Sequence, residues 1–525
     1  MKPNILIRGG IVIDGTGTSA FKADVEITAD RITRIGSIDS SNYFEVLDAD
    51  GLIVSPGFID SHSHSDFTLL VDPRAVSSIT QGVTAEVVGN CGYGSCPIAN
   101  KSMAHEVIYG FRSDLPLTWE TVAGYLDRLE EARPAVNVLT LVPNGQLRLG
   151  SVGAEQRPAN KQELSKMKYL LRQGLEEGAF GYSTGLEYST EIAATEEEIT
   201  ELCKVTAEFK GIYATHTRNR DEGSVEAVAE AIRTAENAGV ALQISHITPR
   251  GPRENTEKSI GLVDAAIKRG NDIAFDMHTR FFGTTYLKVL LPSWALEGGK
   301  AEIAKRLSDK KCRAEMKKHR SLITALNDWS RIVLLDNPTF PEYSRLNFSE
   351  IATQKGCDPI DAAYDILLGE IEQLHRPFII LHSYTEDLLR LTYQHPSCLV
   401  GSDATALAPD GPLSESMFHG SYTWASWFYR RMIRETATFT PEEGIKKLTS
   451  QVAKRFGIKN RGILSKGSFA DVVVFDPMSF GEKGTTFEPN QIAQNMHHVI
   501  VNGVVTLRNG ELTGERGGAV LRMGS

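Results

Sequence analysis

Apolar positions along the chain fall into two arrangements. Between Leu52 and Asp403, short runs with few polar interruptions recur: "LIVSPGFID", "VTAEVVGN", "VNVLTLVP", "AFGYSTG", "GIYATH", "ALQISHI", "DIAFDM" and "CLVGSD". A strand with one wet face alternates apolar and polar residues, so runs this continuous predict strands buried on both faces, as in a parallel sheet. The stretches between them carry amphipathic spacing, for example "EEITELCKVTAEFK" and "GSVEAVAEAIRTAENAG", and predict helices. Strand and helix alternating eight times in series predict a (β/α)8 TIM-type barrel, an α/β fold. "RPFIILH" near residue 380 is a ninth candidate strand.

The two ends read differently. "ILIRGGIVIDGTG" and the residues after it alternate β-branched runs with Gly, Asp and Asn, and the last stretch does the same, with turn signals at Asn502-Gly503 and Asn509-Gly510. Residues 1–54 and 460–525 are therefore expected to build one small β-sandwich domain, with the barrel spanning 55–459. Residues 287–394 hold more helix than a connection needs and are expected to form an insertion over one mouth of the barrel. A length of 525 residues, too great for one ordinary core, agrees with more than one domain.

Charge narrows the functions. The chain has 56 basic and 66 acidic side chains, a net charge of -10, and no long block of one sign, which argues against a nucleic-acid partner. Cys91, Cys96, Cys203, Cys312, Cys357 and Cys398 lack the density and spacing of a disulfide framework, so the expected compartment is a reducing cytoplasm. The start of the chain lacks a signal-peptide pattern and no run of 18 apolar residues occurs, so no membrane association is expected. A homo-oligomer is compatible with the sequence.

In a barrel enzyme the chemistry gathers at the carboxyl ends of the strands. There the polar residues collect: His62 and His64 close the first run, Cys91 the second, His216 the fifth, His246 the sixth and Asp403 the eighth. Alternate residues of an extended chain face one side, so His62 and His64 can reach one ion from positions about 7 Å apart while Ser63 turns away. Imidazole and thiolate suit zinc, whereas calcium or magnesium would call for oxygen ligands. Bland readings stand beside these. A lone histidine such as His278 or His382 is more often a hydrogen-bonded structural residue, a lone cysteine more often a small core residue, and Asp403 could cap a helix. Gly89 and Gly92, flanking Cys91, favour the metal reading because they leave room for an ion or substrate, while Cys96 reads as loop packing.

The segments "GGIVIDGTG", "PGFIDSHSHSD", "ITQGVTAEVVGNCG", "GAFGYSTGLEY", "YATHTRN", "ISHI", "VGSD" and "GILSKGSFADVVVFDP" together resemble the amidohydrolase superfamily, and within it the N-acyl-D-amino-acid deacylases. The HxH element marks only the superfamily. The glycine-flanked cysteine is more specific, since many relatives use a carboxylated lysine as metal bridge and "AFGYSTGLEY" has no lysine. The resemblance implies one or two zinc ions, with Cys91, His216 and His246 as ligands, His62 and His64 framing a second position, and Asp403 as general base. It also implies a small N-acylated amino acid as substrate. Its carboxylate calls for a cationic or hydroxyl-bearing clamp, and the candidates are Arg148, Arg250, Arg280 and Tyr188.

The chain departs from the group near the expected substrate. Gln146 stands where its usual members have histidine, "SHITPRG" has no lysine after the histidine, and "DMHTRFFGTT", with His278 and Arg280, replaces a tyrosine-rich "YPY". These departures imply a different amino acid, an acidic one among the options, or another amide. Hydrolysis of a cyclic amide or imide, or of an N-acyl dipeptide-like substrate, on the same scaffold is the alternative activity. A non-catalytic binding protein is the alternative from another class.

Overall fold

The structure, a computed structural model, describes residues 5–39, 43–325, 328–374 and 376–524. Eight parallel strands form the barrel. They are β1 (Phe58–Asp60), β2 (Val83–Val88), β3 (Asn137–Thr140, continued by Val142–Pro143), β4 (Gly181–Gly185), β5 (Ile212–His216), β6 (Ala241–Ile244), β7 (Ile273–His278) and β8 (Cys398–Gly401). Each pairs with the next, from Phe58↔Val83 to Phe275↔Cys398. The ring closes just beyond β1 and β8, where Asp403 N donates to His62 O and His64 N to Ala404 O, each at 2.8 Å.

Period-two alternation sorts the side chains. Ala85 and Val87 of β2 join Ile59, Leu139, Leu141, Ala214 and Leu399 in one buried core, sealed by Val452 and Phe456. Each of the Val, Leu, Ile and Phe side chains contributes about 1.5–3 kcal/mol on burial. Glu86, between Ala85 and Val87, faces away and accepts hydrogen bonds from Ser63 Oγ and Ser78 Oγ, each at 2.6 Å. The connecting helices have ordinary ends: Thr121, Asn160 and Thr195 cap Val122–Ala132, Lys161–Glu176 and Glu196–Glu208, and Asn160 completes a capping box with Glu163.

The chain ends share a nine-stranded sheet. Its link is Ile53–Pro56, which runs parallel to Ile5–Val12 and antiparallel to Val472–Phe475. The opening run "LIVSPGFID" is thus two strands rather than one: it divides at Gly57, the first half serving this sheet and the second opening the barrel. Asn502-Gly503 joins Met496–Val501 to Val504–Arg508, and Asn509-Gly510 joins the latter to Glu511–Leu512, with positive φ at all four turn residues. Ile32 N donates to Ser468 O at 2.9 Å, so the sheet folds back over a core that includes Ile7, Val25, Ile27, Val54, Val472 and Ile500.

Arg250–Arg253 and Arg280–Leu388 form a second compact unit with its own core, including Leu287, Leu290, Phe348, Ile351, Tyr364, Leu367 and Ile379. "RPFIILH" supplies Phe378–His382, the central strand of its antiparallel sheet, and is not part of the barrel. The unit's longer segment takes in Phe282–Tyr286, which pairs directly with that strand. Among the described residues, no helix is long and apolar enough to cross a membrane.

Candidate metal centre

The strand ends bring six side chains into one cluster. Ligand atoms of His62, His64, Cys91 and Asp403 lie within 4.8 Å of one another, and so do those of Cys91, His216 and His246. Cys91 belongs to both groups: its Sγ is 3.2 Å from His62 Nε2 and 3.4 Å from His246 Nε2. His216 Nδ1 is 3.1 Å from His246 Nε2, and Asp403 Oδ1 is 3.3 Å from His64 Nε2 and 3.6 Å from His62 Nε2. All are buried except Asp403, whose side chain is 21% exposed and so faces an open side.

The backbone is bent to deliver them. Cys91, His246 and Asp403 adopt φ of 55°, 35° and 46°, a left-handed region that side chains with a Cβ enter at a cost of order 1–3 kcal/mol. Gly89 and Gly92 serve this turn for a reason other than room for an ion: a Cβ on Gly89 would lie 2.3 Å from Leu141 O, and one on Gly92 1.8 Å from Glu191 Oε1.

The donor set fits a cation. His216 Nε2 lies 2.8 Å from Glu187 Oε2 and His62 Nδ1 lies 3.0 Å from Asp276 Oδ1, so each carboxylate orients its ring with the other nitrogen toward the cluster. Burial above all, with Arg220 and His216 adding positive charge, pushes the His246 imidazole well below its ordinary range, so that ring is a neutral donor. Its Nδ1 is buried without a hydrogen-bond partner among the described residues. Burial pushes the Cys91 thiol up, against the pull of His62, and a cation alongside reverses that direction. Bonds of about 2.0–2.3 Å from a tetrahedral zinc set donor separations of roughly 3.3–3.7 Å, close to those seen. The acids Asp276 and Glu187 escaped the sequence reading. Asp276 left one trace, a carboxylate inside the apolar run "DIAFDM".

The other candidates divide. Tyr188 Oη is 3.2 Å from His216 Nδ1, at the cluster. Tyr93 and Tyr109, unforeseen, meet at a tilt with 4.7 Å between ring centres beside it, with Tyr109 4.6 Å from the His64 ring and Tyr93 5.0 Å from Tyr188. Arg148 is engaged inside the protein rather than at the cluster: 1% exposed, it pairs with Glu198 and donates to Thr190 O and Arg157 O, one bond from each of its three nitrogens. His278 is buried at the end of β7, where its carbonyl accepts from Tyr393 Oη at 2.6 Å. Arg250 and Arg280 belong to the second unit, as does His382, whose carbonyl accepts from Arg331. Cys96 is buried in its loop. Gln146 is buried and donates to Gly94 O and Ala104 O.

Known proteins are similar to this chain along its whole length. A D-aminoacylase of Alcaligenes xylosoxydans xylosoxydans is 31% identical over 99% of this chain and 97% of its own length. An N-acyl-D-glutamate deacylase of the same organism is 31% identical over 96% and 93%. Among solved structures, the N-acyl-D-glutamate deacylase of Bordetella bronchiseptica, complexed with zinc and a phosphonate mimic of the tetrahedral intermediate, superposes with a TM-score of 0.80 at 28% identity, covering 99% of this chain and 100% of that one. The family model described as "Amidohydrolase family" matches residues 45–320, a span that contains five of the six clustered side chains. The chain belongs to the amidohydrolase family.

Proposed function

We propose that the protein is a zinc-dependent amidohydrolase that cleaves the amide bond of N-acyl-D-amino acids to a carboxylate and a free D-amino acid. The observation that carries this reading is the cluster in which Cys91 stands between His62 and His246 while Asp403 meets His64 at the exposed edge. The activities for which the relatives are named support it.

Cys91, His216 and His246 would hold one zinc ion, and His62, His64, Cys91 and Asp403 frame a second position. Bound there, zinc supplies Lewis acidity, which acidifies water and polarises an amide carbonyl. Asp403, the partly exposed member, takes the proton of the attacking water on a carboxylate oxygen and returns it to the departing nitrogen. Tyr188 presents a phenol donor beside His216, where charge develops on the carbonyl oxygen. Tyr93 and Tyr109 wall the site and exclude bulk water. His278, in the same unit as the cluster, remains a candidate for the substrate carboxylate.

The relatives at 30–31% identity include deacylases of N-acyl-D-glutamate and N-acyl-D-aspartate as well as a D-aminoacylase, so acidic and other side chains both belong in the assay. The test is amine release from N-acetylated D- and L-amino acids with neutral and acidic side chains. Release confined to D substrates supports the reading, and no release, or equal release from L substrates, contradicts it.

A further inference from the structure

The geometry points to Asp276 as a positioning residue that couples the two donor groups, so that neither metal position is tuned without the other. Its Oδ1 accepts two hydrogen bonds, one involving His62 Nδ1 at 3.0 Å and one from His246 N at 2.8 Å. His62 belongs to the group that contains His64 and Asp403, and His246 to the group that contains His216. One buried oxygen therefore touches a member of each.

The two contacts do different work. By accepting the His62 Nδ1–H, the carboxylate fixes the tautomer and leaves Nε2 free to face Cys91 and Asp403. By accepting from His246 N, it helps hold a residue whose φ of 35° the chain would otherwise relax. Asp276 is itself held. Its Oδ2 accepts from Gln243 Nε2 at 2.9 Å, and Gln243 Oε1 accepts from Arg455 Nε at 3.2 Å. Arg455 is anchored in turn on Asp272 Oδ1 at 2.6 Å. A carboxylate locked in this way ties the His62 imidazole to the backbone that carries His246.

This inference rests on the metal reading but not on the substrate. Metal-free wild type and Asp276→Asn are titrated with zinc against a chromophoric chelator, and both are loaded with cobalt(II) to record the thiolate-to-metal absorption of Cys91. Asparagine keeps the volume but offers a weaker, neutral acceptor and turns an N–H toward Gln243. The expected result is a loss of about 10–100-fold in zinc affinity at every position the wild type fills, with a shifted cobalt spectrum. The cobalt spectrum is the readout that a merely structural role would leave unchanged. Gln243→Met, which leaves the carboxylate but frees its second oxygen, should weaken zinc in the same direction and decides the matter if Asp276→Asn does not fold. Affinity unchanged at either filled position overturns the coupling. Wild type that takes up no zinc overturns the metal reading itself.

Discussion

Cys91 Sγ lies 3.2 Å from His62 Nε2, which makes one sulfur the common member of both donor groups. Replacing it should therefore disturb both positions. Cys91→Ala is expected to lose its zinc on dialysis against a chelator that leaves wild type loaded, and to lose turnover by at least about 100-fold. Metal content by plasma mass spectrometry, read beside kcat, checks this; a loaded and active variant would refute the shared role.

Asp403 sits against His64 at the exposed edge and is assigned proton transfer rather than the tighter metal position. Asp403→Asn should keep its zinc while kcat falls about 10²–10⁴-fold. Normal turnover in that variant would show that Asp403 is wrongly assigned.

Arg148 and Glu198 form a fully buried pair, 1% and 3% exposed. Removing one partner strands the other charge in the interior, so Arg148→Met should destabilise the protein by about 3–5 kcal/mol in urea denaturation while leaving KM unchanged. A raised KM with unaltered stability would restore Arg148 as a substrate clamp.

Burial, with His497 and Arg508 adding positive charge, pushes the His498 imidazole down from 6.5 to about 4. The unfolded chain thus binds a proton that the folded chain refuses. The stability this ring contributes is complete above pH 6.5 and drains away as pH falls toward about 4. His498→Gln should show a flatter fall in melting temperature across that window than wild type, and parallel curves would contradict the assignment.

The eight barrel strands were legible because strands buried on both faces leave continuous apolar runs, and the metal-centre histidines, Cys91 and Asp403 stood out as the polar residues that end those runs. The division of "LIVSPGFID" was hidden, since both halves are apolar and buried although they serve different sheets. Partners were the least legible part. Glu198, which claims Arg148, lies 50 residues away, and Asp276, which meets His62, lies 214 residues away. Pairings of that kind depend on how strands are ordered around a barrel, which no local pattern encodes. The role given to Gly89 and Gly92 failed for the same reason, because the atoms they make room for come from Leu141 and Glu191.

The central claim is that side chains from separate strand ends converge on a shared cation. Anomalous diffraction recorded on either side of the zinc absorption edge, from crystals of protein purified without added metal, tests it most directly. A zinc peak is expected within bonding distance of Cys91, His216 and His246. A map with no peak there, or with zinc bound only elsewhere, would contradict it.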